Sequence, residues 1–453
     1  MPFFHDIKEV YNMENGIEKF NFKNKLLMGI TLFSMFFGAG NLIFPPFLGA
    51  QAGTHTWPAF LGFAASAVGL PVLGVVAVTL SGGLDKLASR VHPKFAFGYT
   101  VLLYLAIGPC LAIPRTASTS FSITVQPFMP KEVPLGAVQL IYSLIFFGLA
   151  ALVALHPERL TDFLGRWMSP ILLILIVCVF AGTLIKSPGE AAAPAEAYQN
   201  MAPVQGFLDG YQTMDTLAAL NFGLIVAVNI RAKGITEEKS VMNETICAGW
   251  IAGIILAAVY GALTFIGMHA GGRFSDAENG TEVLTAAAQF LYGKTGMIIM
   301  AACFFIACFN TCVGLLSCCG KYFNSICPRF SHRTWVWGFA AVSVLIANIG
   351  LNAILKFSVP VLNAIYPLAI LLIVLAFLHR WLKYFPYVYP FAAGFCGISS
   401  ILIVLEQQHI FGEKISRIFH LVPGYTAGFG WVIPTLAGIV IGIIAGAGML
   451  RRR

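Results

Sequence analysis

The chain has 453 residues, 58% hydrophobic and only 11% charged, with a mean hydropathy of +0.80. A soluble domain carries about 25% charged residues, so this composition excludes a string of soluble domains and reads as one all-α polytopic membrane protein. The net charge of +8 does not point to nucleic acid, because the Lys and Arg residues lie between apolar runs.

From the N-terminus, residues 1–24 are polar and mixed in charge. No short apolar core with a small-residue cleavage site follows, so the first span is expected to be retained. That span, 26–52, is long enough to cross a bilayer. It is interrupted at 36–46 by Phe-Phe-Gly-Ala-Gly-Asn-Leu-Ile-Phe-Pro-Pro. Gly and Pro are the poorest helix residues, and Asn41 needs hydrogen-bond partners inside hydrocarbon. Unwound backbone at membrane depth persists only where it is buried in protein or lines a cavity, so the interruption predicts a binding site.

Further apolar runs centre on Leu70, Ile107, Phe146, Leu175, Leu220, Leu256, Phe305, Val344, Leu368, Ile398 and Val440, about twelve spans with the first. The third carries Pro109 and Pro114, which predict a kink, and the charged Arg115. This guanidinium either faces a water-filled path, pairs with Asp209 or Asp215, or snorkels outward from a tilted helix. The sixth, 206–230, is the most polar, and Asp215 falls near membrane depth. Thr213 or Asp215 is expected to cap a half-helix beginning at Thr216. An intramembrane carboxylate is a functional-site hypothesis by default. Most of the ten cysteines, Cys303, Cys308, Cys312, Cys318 and Cys319 among them, lie in apolar runs without metal-type pairing and read as packing residues.

Basic residues alternate between the connecting segments. One side holds Lys8, Lys19, Lys23, Lys25, Lys86, Arg90, Lys94, Arg159, Arg166, Arg231, Lys233, Lys239, Lys321, Arg329, Arg333, Arg380, Lys383, Arg451, Arg452 and Arg453. The other holds Lys131, Lys186, Arg273, Lys294, Lys356, Lys414 and Arg417. The positive-inside rule then places both termini in the cytoplasm. The first span therefore enters from inside and the sixth from outside. Two interrupted helices five spans apart, in opposite orientations, are what an inverted-topology repeat requires, and they point to a transporter site at the midplane. Free N–H groups and the positive end of a half-helix can hold a carboxylate, and free carbonyls a small cation. Gly38 and Gly40 let backbone approach a ligand closely.

Residues 36–53, 107–121 (Ile-Gly-Pro-Cys-Leu-Ala-Ile-Pro-Arg-Thr-Ala-Ser-Thr-Ser-Phe), 210–218 and 359–367 resemble the bacterial branched-chain amino acid:cation symporters, also called branched-chain amino acid transport system II carriers. The resemblance runs over nearly the whole chain. It implies uptake of leucine, isoleucine and valine driven by sodium, or else by protons, across the bacterial cytoplasmic membrane. It also implies the fold of the bacterial leucine transporter. That fold would give a cytoplasmic segment 1–24, inverted five-helix repeats at 25–190 and 191–380, and two extra helices at 381–453, with the first and sixth helices broken. By position, the amino and carboxylate groups of the substrate would meet Phe37, Gly38, Ala39, Gly40 and Asn41 and, opposite, Thr213, Met214 and Asp215. Tyr104 and Ile107 would wall the side-chain pocket. Sodium would lie against the carbonyls of Ser34, Phe37 and Ala307 and the side chains of Asn310 and Thr311, with Asp215 and Arg115 as coupling residues. Positions 307, 310 and 311 share one helix face, and oxygen ligands suit a hard cation. Where the family often carries an acid after the Ser-Phe pair, this chain has Ser122.

Other function classes fit less well. A primary pump needs a Gly-x-x-x-x-Gly-Lys-[Ser/Thr] loop, and none is present. A metallopeptidase-type His-Glu-x-x-His is also missing, and no nucleophile–base pair stands out. A passive channel would favour charged or carbonyl rings repeated over several subunits, whereas these polar breaks occur once each.

Overall fold

The computed structural model describes residues 21–130, 132–155, 169–232, 234–411, 416 and 419–450. Most of segment 1–24 lies outside the described residues. So do Lys8, Lys19, Lys131, Arg159, Arg166, Lys233, Lys414, Arg417, Arg451, Arg452 and Arg453 of the charge pattern.

Every regular element among the described residues is helical, as hydrocarbon requires of a chain that must satisfy its own backbone. Helices α1 (Phe22–Phe36) and α2 (Ala39–Ala52) are halves of the first interrupted helix. Helices α3 (Thr56–Ala64) and α4 (Leu70–Ser81) are joined by a π-helical turn, Ala65–Gly69. After the short α5 (Leu84–Ser89), α6 (Pro93–Leu105) and α7 (Ala112–Thr124) flank a second π-type turn, Ala106–Cys110. Next come α8 (Leu135–Ala154), α9 (Ser169–Ile185) and the short α10 (Glu196–Gln199). The second interrupted helix consists of α11 (Ala202–Tyr211) and α12 (Asp215–Ala232). The remainder are α13 (Glu238–Gly271), α14 (Gly280–Tyr292), α15 (Lys294–Ile326), α16 (His332–Ala347), α17 (Leu351–Leu382), α18 (Val388–Gln407) and α19 (Val432–Leu450).

Seven helical stretches among the described residues are long and apolar enough to cross a membrane, the first being Ala39–Ser81, which turns at Gly53. Pro170–Ile185 and Val432–Ala447 are shorter apolar helices. The protein is a multi-pass membrane protein, all-helical among the described residues.

The first interruption is narrower than the sequence suggests. Only Phe37 and Gly38 leave the helix, while Pro45 and Pro46 sit inside α2. The third span is more than kinked. Gly108 is non-helical (φ −93°, ψ −129°), and α7 starts afresh at Ala112.

Glycines set the tightest crossings. A Cβ on Gly267 would lie 2.0 Å from the Pro46 carbonyl oxygen, and one on Gly49 would lie 2.1 Å from that of Thr264. Gly267 and Gly271 form a Gly-x-x-x-Gly pair, so α13 meets α2 backbone to backbone. In the same way, Gly62 and Gly206 bring α3 against α11, with added Cβ atoms 1.8 and 1.9 Å from the carbonyls of Pro203 and Ala59.

The two interrupted helices run antiparallel. The end of α2 bonds to the approach to α11, through Ala195 N–H to Gln51 O at 2.8 Å and Thr54 N–H to Ala192 O at 3.0 Å. At the opposite ends of these helices, Lys25 at the start of α1 pairs with the buried Glu244 at the start of α13, 3.0 Å apart. The main apolar core runs from Met28 to Ala376. A smaller one joins α17, α18 and α19.

Candidate substrate site at two helix breaks

At the first break, Phe37 and Gly38 are extended. Side chains take over the backbone bonds that the helix gives up. Gly38 N–H donates to Asn41 Oδ1 at 3.0 Å, and the Phe37 carbonyl accepts from Thr311 Oγ1 at 3.1 Å. Gly38 must be glycine for packing as well, since a Cβ there would lie 2.4 Å from Thr311 Oγ1. The leading N–H groups of α2 have no intrahelical acceptor, as at any helix start.

At the second break the chain turns through Gln212, Thr213 and Met214. Met214 holds a left-handed backbone (φ +66°), a conformation that costs a non-glycine residue about 1–2 kcal/mol. Such outliers persist where the surroundings impose them, commonly at functional sites. The half-helix starts at Asp215, one residue earlier than expected. Thr213 Oγ1 accepts from Asp215 N–H at 3.4 Å, one residue ahead of the flanking Met214, and Asp215 is the first helical residue rather than its cap. That releases the Asp215 carboxylate, which reaches across to the first break.

There the two breaks are joined. Asn41 Nδ2 donates to Asp215 Oδ2 at 2.7 Å, and Tyr260 Oη donates to the same oxygen at 2.5 Å. Asn41 Nδ2 also meets the Tyr260 hydroxyl. All three residues are buried. Tyr260, on α13, was not among the residues singled out from sequence. Its only signal there is a phenol in the middle of an apolar run.

Arg115 lies beside this cluster, 3% exposed. Its Nη1 donates to the Gln212 carbonyl at 2.9 Å, its Nε has no partner, and its guanidinium stands 5.7 Å from the Phe44 ring centre. Neither proposed ion pair forms. Asp209 instead accepts from Tyr198 at 2.5 Å and Gln205 at 2.9 Å, and among the described residues no carboxylate lies within 4.0 Å of the guanidinium.

A cavity of about 20 Å³, room for a water or two, lies between the breaks. Of the expected residues, Gly38, Ala39, Gly40, Asn41, Ile107, Thr213, Met214 and Asp215 line it, and so does Arg115. Met35, Phe36, Ala112, Ala218, Phe222 and Leu315 supply an apolar wall that sequence reading did not assign. Phe37 and Tyr104 are not on the wall. The Phe37 ring stacks on Phe33 and Tyr260, and Tyr104 stacks on Tyr322 with ring centres 3.9 Å apart.

The residues expected to hold a cation lie together beside this cavity. Asn310 Nδ2 donates to Ser34 Oγ at 3.2 Å, Asn310 Oδ1 is buried without a partner, and Ala307 is fully buried on the same helix face. Thr311 belongs both to this group and to the cavity wall. Ser122 bonds back to its own helix at Thr119 O, 2.9 Å. A larger cavity, about 600 Å³, opens at the ends of α4, α12 and α13, where Lys86, Arg231 and Lys239 lie. Glu238 lines it as well, and none of its lining residues belongs to either helix break.

Residues 21–448 match the family described as "Branched-chain amino acid transport protein". The chain belongs to that family. Members similar to this chain include the branched-chain amino acid permease BrnQ of Bacillus subtilis, 39% identical over 92% of this chain and 96% of that protein. The branched-chain amino acid transport system 2 carrier protein of Pseudomonas aeruginosa is 37% identical over 92% and 95%. These relatives are permeases and carriers, so this family member is a transport protein and not an enzyme. Among solved structures it is similar to Mhp1, a nucleobase-cation-symport-1 family transporter in a closed conformation, with a TM-score of 0.62 at 13% identity over 94% and 93% of the two chains. The manganese transporter of Eremococcus coleocola follows with a TM-score of 0.58 at 14% identity over 95% and 97%. At that identity the likeness concerns the fold alone.

Proposed function

We propose that the chain imports leucine, isoleucine and valine by symport with sodium, by alternating access about the site between the two breaks. The observation that carries this reading is the bridge of Asn41, Tyr260 and Asp215, which places opposed polar groups against an apolar wall. A branched-chain amino acid has that same division, a charged head and an aliphatic tail. The present cavity is too small for leucine, so entry must part the walls. The half-helices flanking the two breaks are the elements suited to that movement.

Twelve spans in two inverted five-helix repeats, 25–190 and 191–380, with 381–453 appended, fit the packing. Each interrupted helix runs against the second helix of the opposite half, α2 on α13 and α11 on α3. Both termini are placed in the cytoplasm, the membrane being the bacterial cytoplasmic membrane. Sodium would be held by Ser34, Phe37, Ala307, Asn310 and Thr311, where the unpartnered Asn310 Oδ1 offers a ready oxygen. Through Thr311 this ion would touch the substrate cavity, which gives the two ligands a shared wall and hence reciprocal affinity.

Uptake of labelled leucine into proteoliposomes tests the reading. Accumulation above equilibrium is expected with an inward sodium gradient and should vanish without it. Accumulation driven by a proton gradient alone would replace sodium with protons, and mere equilibration would leave a pore. Thr311→Ala is expected to raise the sodium concentration for half-maximal uptake about tenfold, the loss of one ligand worth about 1.4 kcal/mol. An unaltered sodium dependence would move the cation elsewhere.

A further inference from the structure

We infer that Arg115 is the residue that recognises the substrate's α-carboxylate, opposite Asp215. This rests on the amino acid transport reading and names the chemistry of the same site. A guanidinium removed from water is costly unless it is paired. Arg115 is 97% buried, yet among the described residues it bonds only one backbone carbonyl, has no carboxylate within 4.0 Å, and carries an Nε with no partner. It also faces the cavity. Such a cation needs an anion in direct contact, and among the described residues none stands that close.

Gly40 shows why the anion belongs there. A Cβ at this position would lie 2.6 Å from Arg115 Nη2 and 3.2 Å from Cζ, with Thr213 Cα 3.2 Å away on the other side. Only a glycine lets the guanidinium close onto the first turn of α2. The leading N–H groups and positive dipole end of that half-helix therefore converge with the guanidinium on one spot. Two independent sources of positive potential meet beside the Asp215 carboxylate. A zwitterion is the ligand that satisfies both poles, with its carboxylate on Arg115 and the α2 start and its ammonium on Asp215. The apolar wall of Phe222, Leu315 and Ile107 then receives the side chain.

Binding of leucine, leucinamide and 4-methylpentanoate to the purified full chain tests this. Leucinamide lacks the carboxylate, and 4-methylpentanoate lacks the amine. Wild type is expected to bind both analogues on the order of 100-fold more weakly than leucine, the scale of a buried charge pair losing one partner. Arg115→Gln should weaken leucine about 100-fold and leave leucinamide nearly unchanged, so that discrimination between them collapses. If Arg115 only ties α7 to the Gln212 turn, both ligands weaken together and their ratio survives, which overturns the inference. Should Arg115→Gln fail to fold, Arg115→Lys and Gly40→Ala keep the charge but shift it, and the same ratio must fall. Leucinamide competing with leucine on equal terms at wild-type protein also overturns it. Wild type that binds no leucine at all refutes the transport reading instead.

Discussion

The Asp215 carboxylate takes hydrogen bonds from Asn41 and Tyr260 on a single oxygen, so two neutral donors hold a buried acid at the meeting point of both breaks. Charge-assisted hydrogen bonds contribute about 1.5–3 kcal/mol each. Asp215→Asn keeps the size and removes the charge. Leucine uptake at equal expression is expected to fall about 10- to 100-fold, and uptake within twofold of wild type would place Asp215 outside the site. Sequence reading reached Asp215, Asn41 and Gly38 because a carboxylate, an amide and a glycine in hydrocarbon each demand an explanation. Tyr260 escaped it, since a tyrosine in a membrane helix is ordinary. Arg115 was visible as a charge, but its neighbours were not: Gln212 lies 97 residues away in the chain.

Several helices here meet backbone to backbone at glycines. Gly267 is the clearest case, its absent Cβ making room for the Pro46 carbonyl. Gly338, also within a helix, has nothing within 4 Å of the same position. Gly267→Ala is expected to destabilise the protein by about 1–3 kcal/mol through overpacking. Gly338→Ala should be neutral or stabilising by up to about 1 kcal/mol through helix propensity. Thermal unfolding in detergent separates them, and equal midpoints would refute the crossing. The first break was legible as a run of poor helix formers and the second as a polar stretch with an acid near membrane depth, but their extent was not. Pro45 and Pro46 stay helical, and the chain opens instead at Phe37–Gly38, where Thr311 and Asn41 replace the lost backbone partners. Conversely, the third span opens at Gly108, where only a kink was expected.

Across the molecule, the Lys25–Glu244 pair gathers the starts of α1 and α13 at one end, and the Gln51–Ala195 bond gathers the end of α2 and the approach to α11 at the other. Together with the basic loops, this predicts sidedness. A cysteine at Lys94 or Arg329 should react with an impermeant maleimide only from the cytoplasmic face, and one at Lys294 only from outside. Labelling of Lys94→Cys and Lys294→Cys from the same face would break the proposed topology. The sequence by itself determined that this is a multi-pass membrane protein with two interrupted helices of opposite direction. Hydropathy, charge bias and helix-breaking residues act locally, and the bilayer imposes the rest. Only the tertiary structure decided that Asn41 meets Asp215 across 174 residues, that Tyr260 joins them, and that a buried guanidinium on the cavity wall is left with an Nε that has no partner. Those outcomes depend on how closely the helices approach, which glycine contacts set and no single segment encodes.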